Sequence, residues 1–249
     1  MNRRILNVCA LFAGLLGFAF AALGQSIPMP GPGMSHSSGS GIAFVREVQT
    51  FNVTTSTSTA ITSLSNAIPA GDLALINWKQ DTNNTTTATS VADNAGGNTW
   101  VCTTPNTADT NIALGFCYSF LATTLSTGST VTITWANATF AYKVGDLVDI
   151  RGVTALDTAA ANTTANFGTA VSAPITTSSP NTIVISQIGE DTAIVYTVGG
   201  SFTDYNNLTS SGGRRTDFCY RVVSSSGTYN PSGSYASNAN WIGSTIAFH

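Results

Sequence analysis

Histidine, the side chain that most often serves as a catalytic base or a zinc ligand, is nearly missing from this chain. The 249 residues include two histidines: His36 stands in a Pro-, Gly- and Ser-rich stretch, and His249 is the last residue. Ser-His-Asp and Cys-His catalysis need an imidazole held on a rigid element, so the sequence excludes both. It also excludes a zinc site of the usual kind, which takes several of its ligands from histidine.

Carboxylates are the next groups to consider, because many glycosidases use two Asp or Glu residues about 5–10 Å apart. Glu190 and Asp191 follow an apolar segment at Gly189, and Asp146 and Asp149 fall within another patterned segment. The spacing of the second pair puts its members on opposite faces of a strand. Most other Asp residues stand in turn sequences, which they cap. The sequence therefore predicts no catalytic residue, and a carboxylate-dependent glycoside hydrolase remains an alternative.

One loop offers oxygen atoms that suit calcium. Asp93, Asn94 and Asn98 fall within the turn sequence DNAGGN, and Ca²⁺ takes carboxylate, amide and backbone oxygens as ligands. The loop lacks the DxDxDG spacing of an EF-hand, so a plain turn is the alternative. Apart from this structural calcium candidate, we expect no metal and no organic cofactor.

Four aromatic side chains are candidates for contact with a ligand such as a sugar. Trp78 and Trp135 lie in strongly apolar patterns and are expected in the core, but the pattern does not assign the others. Two of the candidates flank the turn sequence Asn-Pro-Ser-Gly. The candidates are Trp100, Tyr229, Tyr235 and Trp241. Packing between sheets is the alternative for each of them.

Two cysteines have the spacing of a cross-strand pair. Cys102 and Cys117 are 15 residues apart, on two segments that read as consecutive strands joined by a loop. Pairing of these strands would bring the thiols together, so we expect a disulfide, which an oxidising compartment permits. Closing a loop of this length contributes about 3 kcal/mol in the chain-entropy estimate. Cys219 is left over and is expected to be a small buried apolar side chain.

The N-terminus carries the pattern of a secretory signal. Arg3 and Arg4 precede an uncharged apolar run, and the small residues Ala22 and Gly24 precede a cut before Gln25. The run is shorter than the roughly 20 residues of a spanning helix, which disfavours the alternative of a membrane anchor. The sequence predicts a signal peptide over 1–24, a linker over 25–41 and one domain over 42–249, without a membrane span after cleavage. The expected location is outside the cell or on its surface, with the periplasm as the alternative.

Charged residues make up 8% of the chain, against about 25% in typical domains. Loss of the two arginines with the signal changes the formal net charge from −3 to −5. Nucleic acid is excluded as a partner, because phosphate binding needs clustered Lys and Arg. Solubility must come from the hydroxyls and amides of Thr, Ser and Asn.

From residue 42 onwards, apolar and polar residues alternate with a period of two. In 128–135, Val131, Ile133 and Trp135 alternate with threonines, which predicts a half-buried strand. The segments 73–78 and 182–188 are continuously apolar, which predicts central strands covered on both faces. The segment 155–168 is expected to be a loop or a short helical turn. About ten strands separated by turns predict an all-β fold, an antiparallel β-sandwich of jelly-roll-like type.

The order of several phrases resembles a known module. A Gly71-Asp72 strand start is followed by SVADNAGGNTW (90–100), GSTVTITW (128–135) and the closing segment YRVVSSSGTYNPSGSYASNANWIGSTIAF (220–248). This order is similar to a recurrent β-sandwich module of exported bacterial and phage-associated surface proteins, over residues 70–248. The resemblance implies a jelly-roll-like sandwich with a surface or binding role, and no catalytic residues. Cys102 and Cys117 stand at strand positions that are not cysteine in the pattern.

The sequence therefore predicts a secreted or surface-displayed, non-catalytic β-sandwich with a binding, adhesive or structural role. Its expected partner is a polysaccharide, another cell-surface component or a second copy of itself. A carbohydrate-binding module is one alternative, and it predicts exposed, coplanar aromatic side chains. The glycoside hydrolase is the other, and it predicts two carboxylates facing each other across an open cleft.

Overall fold

A computed structural model describes residues 41–54, 58–61, 64–81, 87–136, 142–164 and 166–249. The predicted signal peptide and all but the last residue of the predicted linker lie outside these described residues. The described part forms strands and no helix, so it contains no helix that could cross a membrane.

The strands are named in chain order. They are β1 (Ala43–Thr54), β2 (Ser58–Ile61), β3 (Leu73–Asp81), β4 (Ala88–Asp93), β5 (Val101–Cys102), β6 (Ile112–Phe120), β7 (Val131–Trp135), β8 (Tyr142–Arg151), β9 (Leu156–Asn162), β10 (Asn166–Ser172), β11 (Ile175–Thr177), β12 (Thr182–Glu190), β13 (Tyr196–Val198), β14 (Thr203–Thr209), β15 (Arg215–Val223), β16 (Gly227–Tyr229) and β17 (Ser232–Phe248).

Three antiparallel sheets form successive layers. The central sheet has five strands in the order β1-β8-β3-β6-β5. A three-stranded sheet, β2-β7-β4, covers one of its faces, and a seven-stranded sheet covers the other. The larger sheet follows the order β10-β17-β12-β15-β14, with β9 and β13 also paired to β17, and β11 pairs with β16 as a small separate ribbon. The predicted all-β antiparallel class is confirmed.

The central sheet is buried on both faces, as its continuous apolar runs predict. Along β3, Ala74 and Ile76 pack toward the three-stranded sheet, whereas Leu73 and Leu75 pack toward β12 and β17. All nine residues of β3 are buried. Neighbouring residues of β3 therefore face opposite interfaces. A polar residue in β3 is therefore buried in one interface or the other.

Trp78 organises the interface with the three-stranded sheet. Its ring meets Trp135 edge-on, with ring centroids 5.5 Å apart. In the register of the central sheet, Trp78 is flanked by Gly115 of β6 and Gly145 of β8. A Cβ atom at Gly115 would lie 2.3 Å from the indole, so this glycine makes the room in which the indole lies. Trp78 and Trp135 are both buried in the core, as expected.

The disulfide joins Cys102 of β5 to Cys117 of β6, which are direct partners across the two strands. It ties the short edge strand β5 to the central sheet. Cys219 is a free, buried cysteine.

The expectation of a loop or helical turn over 155–168 is wrong. The segment forms β9 and the start of β10, which run antiparallel along β17. The outer side chains of these edge strands are exposed or half-buried, so Ala, Thr and Asn suffice there. A strand of this kind does not need an apolar stripe. The sequence over 155–168 therefore lacks the alternation by which a strand is recognised.

Candidate functional site

Part of the interface between the central and seven-stranded sheets is polar. The face of β3 that carries Leu73 and Leu75 continues with Asn77, Lys79 and Asp81, because these residues share the same parity. Asn77, Lys79 and Asp81 have no exposed surface. The apolar core therefore passes, along a single strand, into a buried group of ionisable side chains.

Lys79 and Asp81 form a buried ion pair. Lys79 Nζ lies 2.5 Å from Asp81 Oδ1, and the Ser210 hydroxyl donates a hydrogen bond to Asp81 Oδ2. A Cβ atom at Gly189 would lie 3.4 Å from both Cδ and Cε of Lys79 and 2.7 Å from Leu114. The lysine stem thus packs against backbone and apolar atoms. Burial lowers the pKa of Lys79, and the charge of Asp81 opposes this shift.

Asp146 anchors a second network in the same interface. Asn77 Nδ2 donates to Asp146 Oδ1 at 2.7 Å and contacts the Tyr205 hydroxyl at 2.8 Å. Asn206 Nδ2 donates to Asp146 Oδ2 at 3.4 Å. Burial raises the pKa of Asp146 to about 7, against the lowering effect of the Asn77 hydrogen bond. This carboxyl therefore holds its proton at mildly acidic pH.

Two further buried acidic residues, Glu190 and Asp217, lie on the seven-stranded sheet. Arg215 Nη2 contacts Asp217 Oδ1 at 2.6 Å, and Glu190 Oε2 accepts a hydrogen bond from Thr192 Oγ1 at 3.1 Å. Burial raises the pKa of Glu190 to about 7 and that of Asp217 to about 6. Such values suit proton transfer near neutral pH, but both side chains are buried.

The carboxylates that the hydrolase alternative requires do not face one another. Asp146 and Asp149 point to opposite sides of β8: Asp146 bonds Asn206, whereas Asp149 pairs with Arg46 at 3.1 Å. Glu190 bonds Thr192, and Asp191 accepts a hydrogen bond from Asn240. Two surface grooves of the described part, one along β9 and one beside residue 42, are lined by no acidic residue.

The side-chain oxygens of the calcium candidates accept hydrogen bonds from within the protein. Asp93 Oδ1 accepts from the backbone of Ala95 and Gly96, and its Oδ2 accepts from the Trp100 indole at 2.8 Å. Asn94 and Asn98 accept hydrogen bonds from the backbone of Thr130 and Thr123, which both lie in the connection between β6 and β7. Among the described residues no group of three His, Cys, Asp or Glu is arranged to hold a metal. The plain-turn alternative accounts for all three side chains.

Tyr235 and Trp241, two of the four candidates for ligand contact, lie in the core, which is the alternative given for each of them. Each is 3% exposed, and both belong to one buried cluster, in which the Tyr235 ring lies 5.5 Å from that of Tyr196. Tyr196 of β13 is the direct cross-strand partner of Tyr235 on β17, and this pairing cannot be read from the alternation in the sequence.

Trp100 and Tyr229 are half-buried. Trp100 packs on the core beside β4 and donates its indole hydrogen to Asp93. Tyr229 donates to the carbonyl of Ser225 at 2.6 Å and has the Arg221 guanidinium 5.4 Å from its ring centre. Neither arrangement forms the flat aromatic platform of a sugar-binding face.

Sequence reasoning missed Lys79, Asp81, Ser210 and Asp217. A signal existed for the first two, because Lys79 and Asp81 directly follow the apolar segment 73–78. For Ser210 and Asp217 the local sequence resembles an ordinary turn and strand. Stacking of the sheets brings Ser210 to Asp81 of β3, and pairing of β15 with β12 puts Asp217 opposite Ile188.

No model of a known protein family matches this chain, and neither a curated protein nor a solved structure matches it.

Proposed function

We propose that this protein is an exported, non-catalytic β-sandwich that works as a binding, adhesive or structural module outside the cytoplasm. Its partner is a polysaccharide or another cell-surface component, or a second copy of the chain. The resemblance to jelly-roll-like surface modules supports this proposal, as does the signal pattern of residues 1–24. The disulfide is consistent with an extracellular location.

One observation carries the proposal: the chain buries most of the acidic groups it has. Seven of its twelve acidic residues are buried, and so are both lysines. The buried acidic residues are Asp72, Asp81, Asp109, Asp146, Asp149, Glu190 and Asp217. The surface is left to hydroxyls and amides, which suit hydrogen bonding to a neutral, hydroxyl-rich polymer better than ionic recognition.

Exposed apolar side chains mark a part of the surface where the proposed contact can be tested. Phe167 on edge strand β10 is 70% exposed, and Val195, just before β13, is 56% exposed. No charged residue lies between Asp157 and Glu190, so β10 has no charge that would oppose another chain. The edge strands β1, β10 and β14 do contain register shifts. Bulges of this kind hinder simple edge-to-edge pairing, so a side-chain contact is favoured.

The test is retention on insoluble polysaccharides, including cellulose, chitin and peptidoglycan, together with light scattering over a concentration series. We expect retention that survives high salt, or reversible self-association, because ionic contacts contribute little. Phe167→Ser should weaken whichever contact is found, with a stability change within about 0.5 kcal/mol for an exposed site. Val222→Ser, at an exposed apolar position on the interior strand β15, is the control. A strict monomer that no polymer retains would refute the proposal.

A further inference from the structure

The ion pair between Lys79 and Asp81 holds an amine and a carboxyl group in contact inside the protein. The side chains share one face of β3 and have no exposed surface. Nζ lies 2.5 Å from Oδ1, and a carbon–oxygen bond is about 1.2 Å, so Nζ is at most about 3.7 Å from the carboxyl carbon. Near-attack distances between reacting atoms are about 3–3.5 Å.

We propose that the side chains of Lys79 and Asp81 condense into an intramolecular amide, which makes β3 the site of a self-catalysed covalent modification. This proposal is independent of the partner that the surface of the protein binds. It concerns the interior between the central and seven-stranded sheets.

The reaction balances without any co-reactant. The ammonium of Lys79 passes a proton to the carboxylate of Asp81, which gives a neutral amine and a neutral carboxylic acid. The nitrogen lone pair adds to Cγ, and an electron pair of the carbonyl moves onto oxygen. The adduct then loses a proton from nitrogen and a hydroxide from carbon, which leave together as water. One carbon–nitrogen bond forms and one carbon–oxygen bond breaks.

The groups around Lys79 and Asp81 favour the steps of this reaction. Burial lowers the pKa of Lys79, although Asp81 opposes the shift, and a lower pKa favours the nucleophilic amine. The Ser210 hydroxyl donates to Asp81 Oδ2, where it can stabilise the negative charge that develops during addition. The fixed position of two groups on one strand replaces a bimolecular encounter.

The product also suits its location better than the reactants do. A buried ion pair costs desolvation free energy that its attraction often fails to repay. An amide in the same place is neutral and needs only hydrogen-bond partners. Condensation therefore removes two charges from the interior of the sandwich.

Mass spectrometry of the full exported chain tests the proposal directly. After reduction, the intact mass should be lower than the mass of the mature sequence by one water molecule. Lys79 is the sole Lys or Arg between Arg46 and Lys143. Trypsin acting on the unfolded, alkylated protein should therefore yield a single 47–143 product, because an acylated lysine is not cleaved.

Two lysine variants are matched controls, since both residues are fully buried. Lys79→Arg removes the amine nucleophile and should restore the full mass and cleavage after position 79, whereas Lys143→Arg should keep the mass deficit. Ser210→Ala should lower the modified fraction. An unshifted wild-type mass with free 47–79 and 80–143 peptides overturns the proposal, and this measurement needs no folded variant. A deficit that persists in Lys79→Arg overturns it as well.

Discussion

Replacing Asp146 with Asn should remove a large part of the pH dependence of this protein's stability. The carboxyl is fully buried between β3, β8 and β14. Burial raises its pKa to about 7, although the hydrogen bond from Asn77 opposes the shift. Asparagine has nearly the same shape as the protonated acid, and it does not titrate.

The magnitude follows from the two pKa values of the carboxyl. In the unfolded chain an Asp titrates near about 3.9. Between that value and about 7, the folded chain holds one proton more than the unfolded chain, so stability falls as pH rises through this window. Each pH unit within the window costs about 1.4 kcal/mol. The step from pH 5 to pH 8 crosses about two of these units, which gives about 3 kcal/mol.

Urea unfolding at pH 5 and pH 8, at one salt concentration, measures this loss. The wild type should lose about 3 kcal/mol more than Asp146→Asn over this interval, equivalent to about 6–12 °C in Tm for a domain of this size. Glu190, Asp149 and Asp217, whose pKa values are also raised by burial, affect both proteins equally. Their contribution therefore cancels in the comparison.

Asp157 provides a control of opposite sign. Burial works against its charged form, but hydrogen bonds from Ser178, Thr158 and Ser179 lower its pKa below the usual range. Its stabilising contribution is present above the unfolded pKa and is lost in acid. Asp157→Asn should therefore diverge from the wild type below about pH 4. Equal losses of unfolding free energy by Asp146→Asn and the wild type between pH 5 and pH 8 would contradict a raised pKa of Asp146 in the folded protein.

Two further changes probe the packing of the central sheet. Removing the disulfide with Cys102→Ser and Cys117→Ser should cost about 3 kcal/mol; scanning calorimetry of the variant against the oxidised wild type measures this, and an unchanged Tm would contradict it. Gly115→Ala forces a Cβ toward the indole of Trp78 and should cost about 1–3 kcal/mol by overpacking. Gly41→Ala, where a Cβ meets nothing within 4 Å, should leave the denaturation midpoint unchanged; equal effects of the two alanines would rule out the packing explanation.

The local pattern was enough to predict a strand that either alternates between apolar and polar residues or is apolar along its length. Val131, Ile133 and Trp135 are buried on β7, and the continuously apolar β3 and β12 lie inside the stack. The pattern failed over 155–168 because edge strands β9 and β10 draw their stability from pairing with β17 rather than from an apolar stripe of their own.

Side-chain environments were harder to predict than strands. Tyr235 flanks a turn, which favoured exposure, yet its ring packs against Tyr196 of the neighbouring strand β13. Lys79 stands in a strand whose burial was expected. The groups that surround Lys79 and Asp81, however, include Gly189 and Ser210, which are far away in the chain. A one-dimensional pattern records the parity of a residue and not the sheet that will cover it.

The sequence by itself determined the all-β class, the cross-strand cysteine pair and the shortage of charge, because alternation, spacing and composition are local properties. The tertiary structure decided which of the few charges would be buried. Stacking the seven-stranded sheet on the polar end of β3 brings Lys79, Asp81 and Asp146 out of water together. Their chemistry therefore follows from desolvation between sheets, which depends on the packing of segments that are distant in the chain.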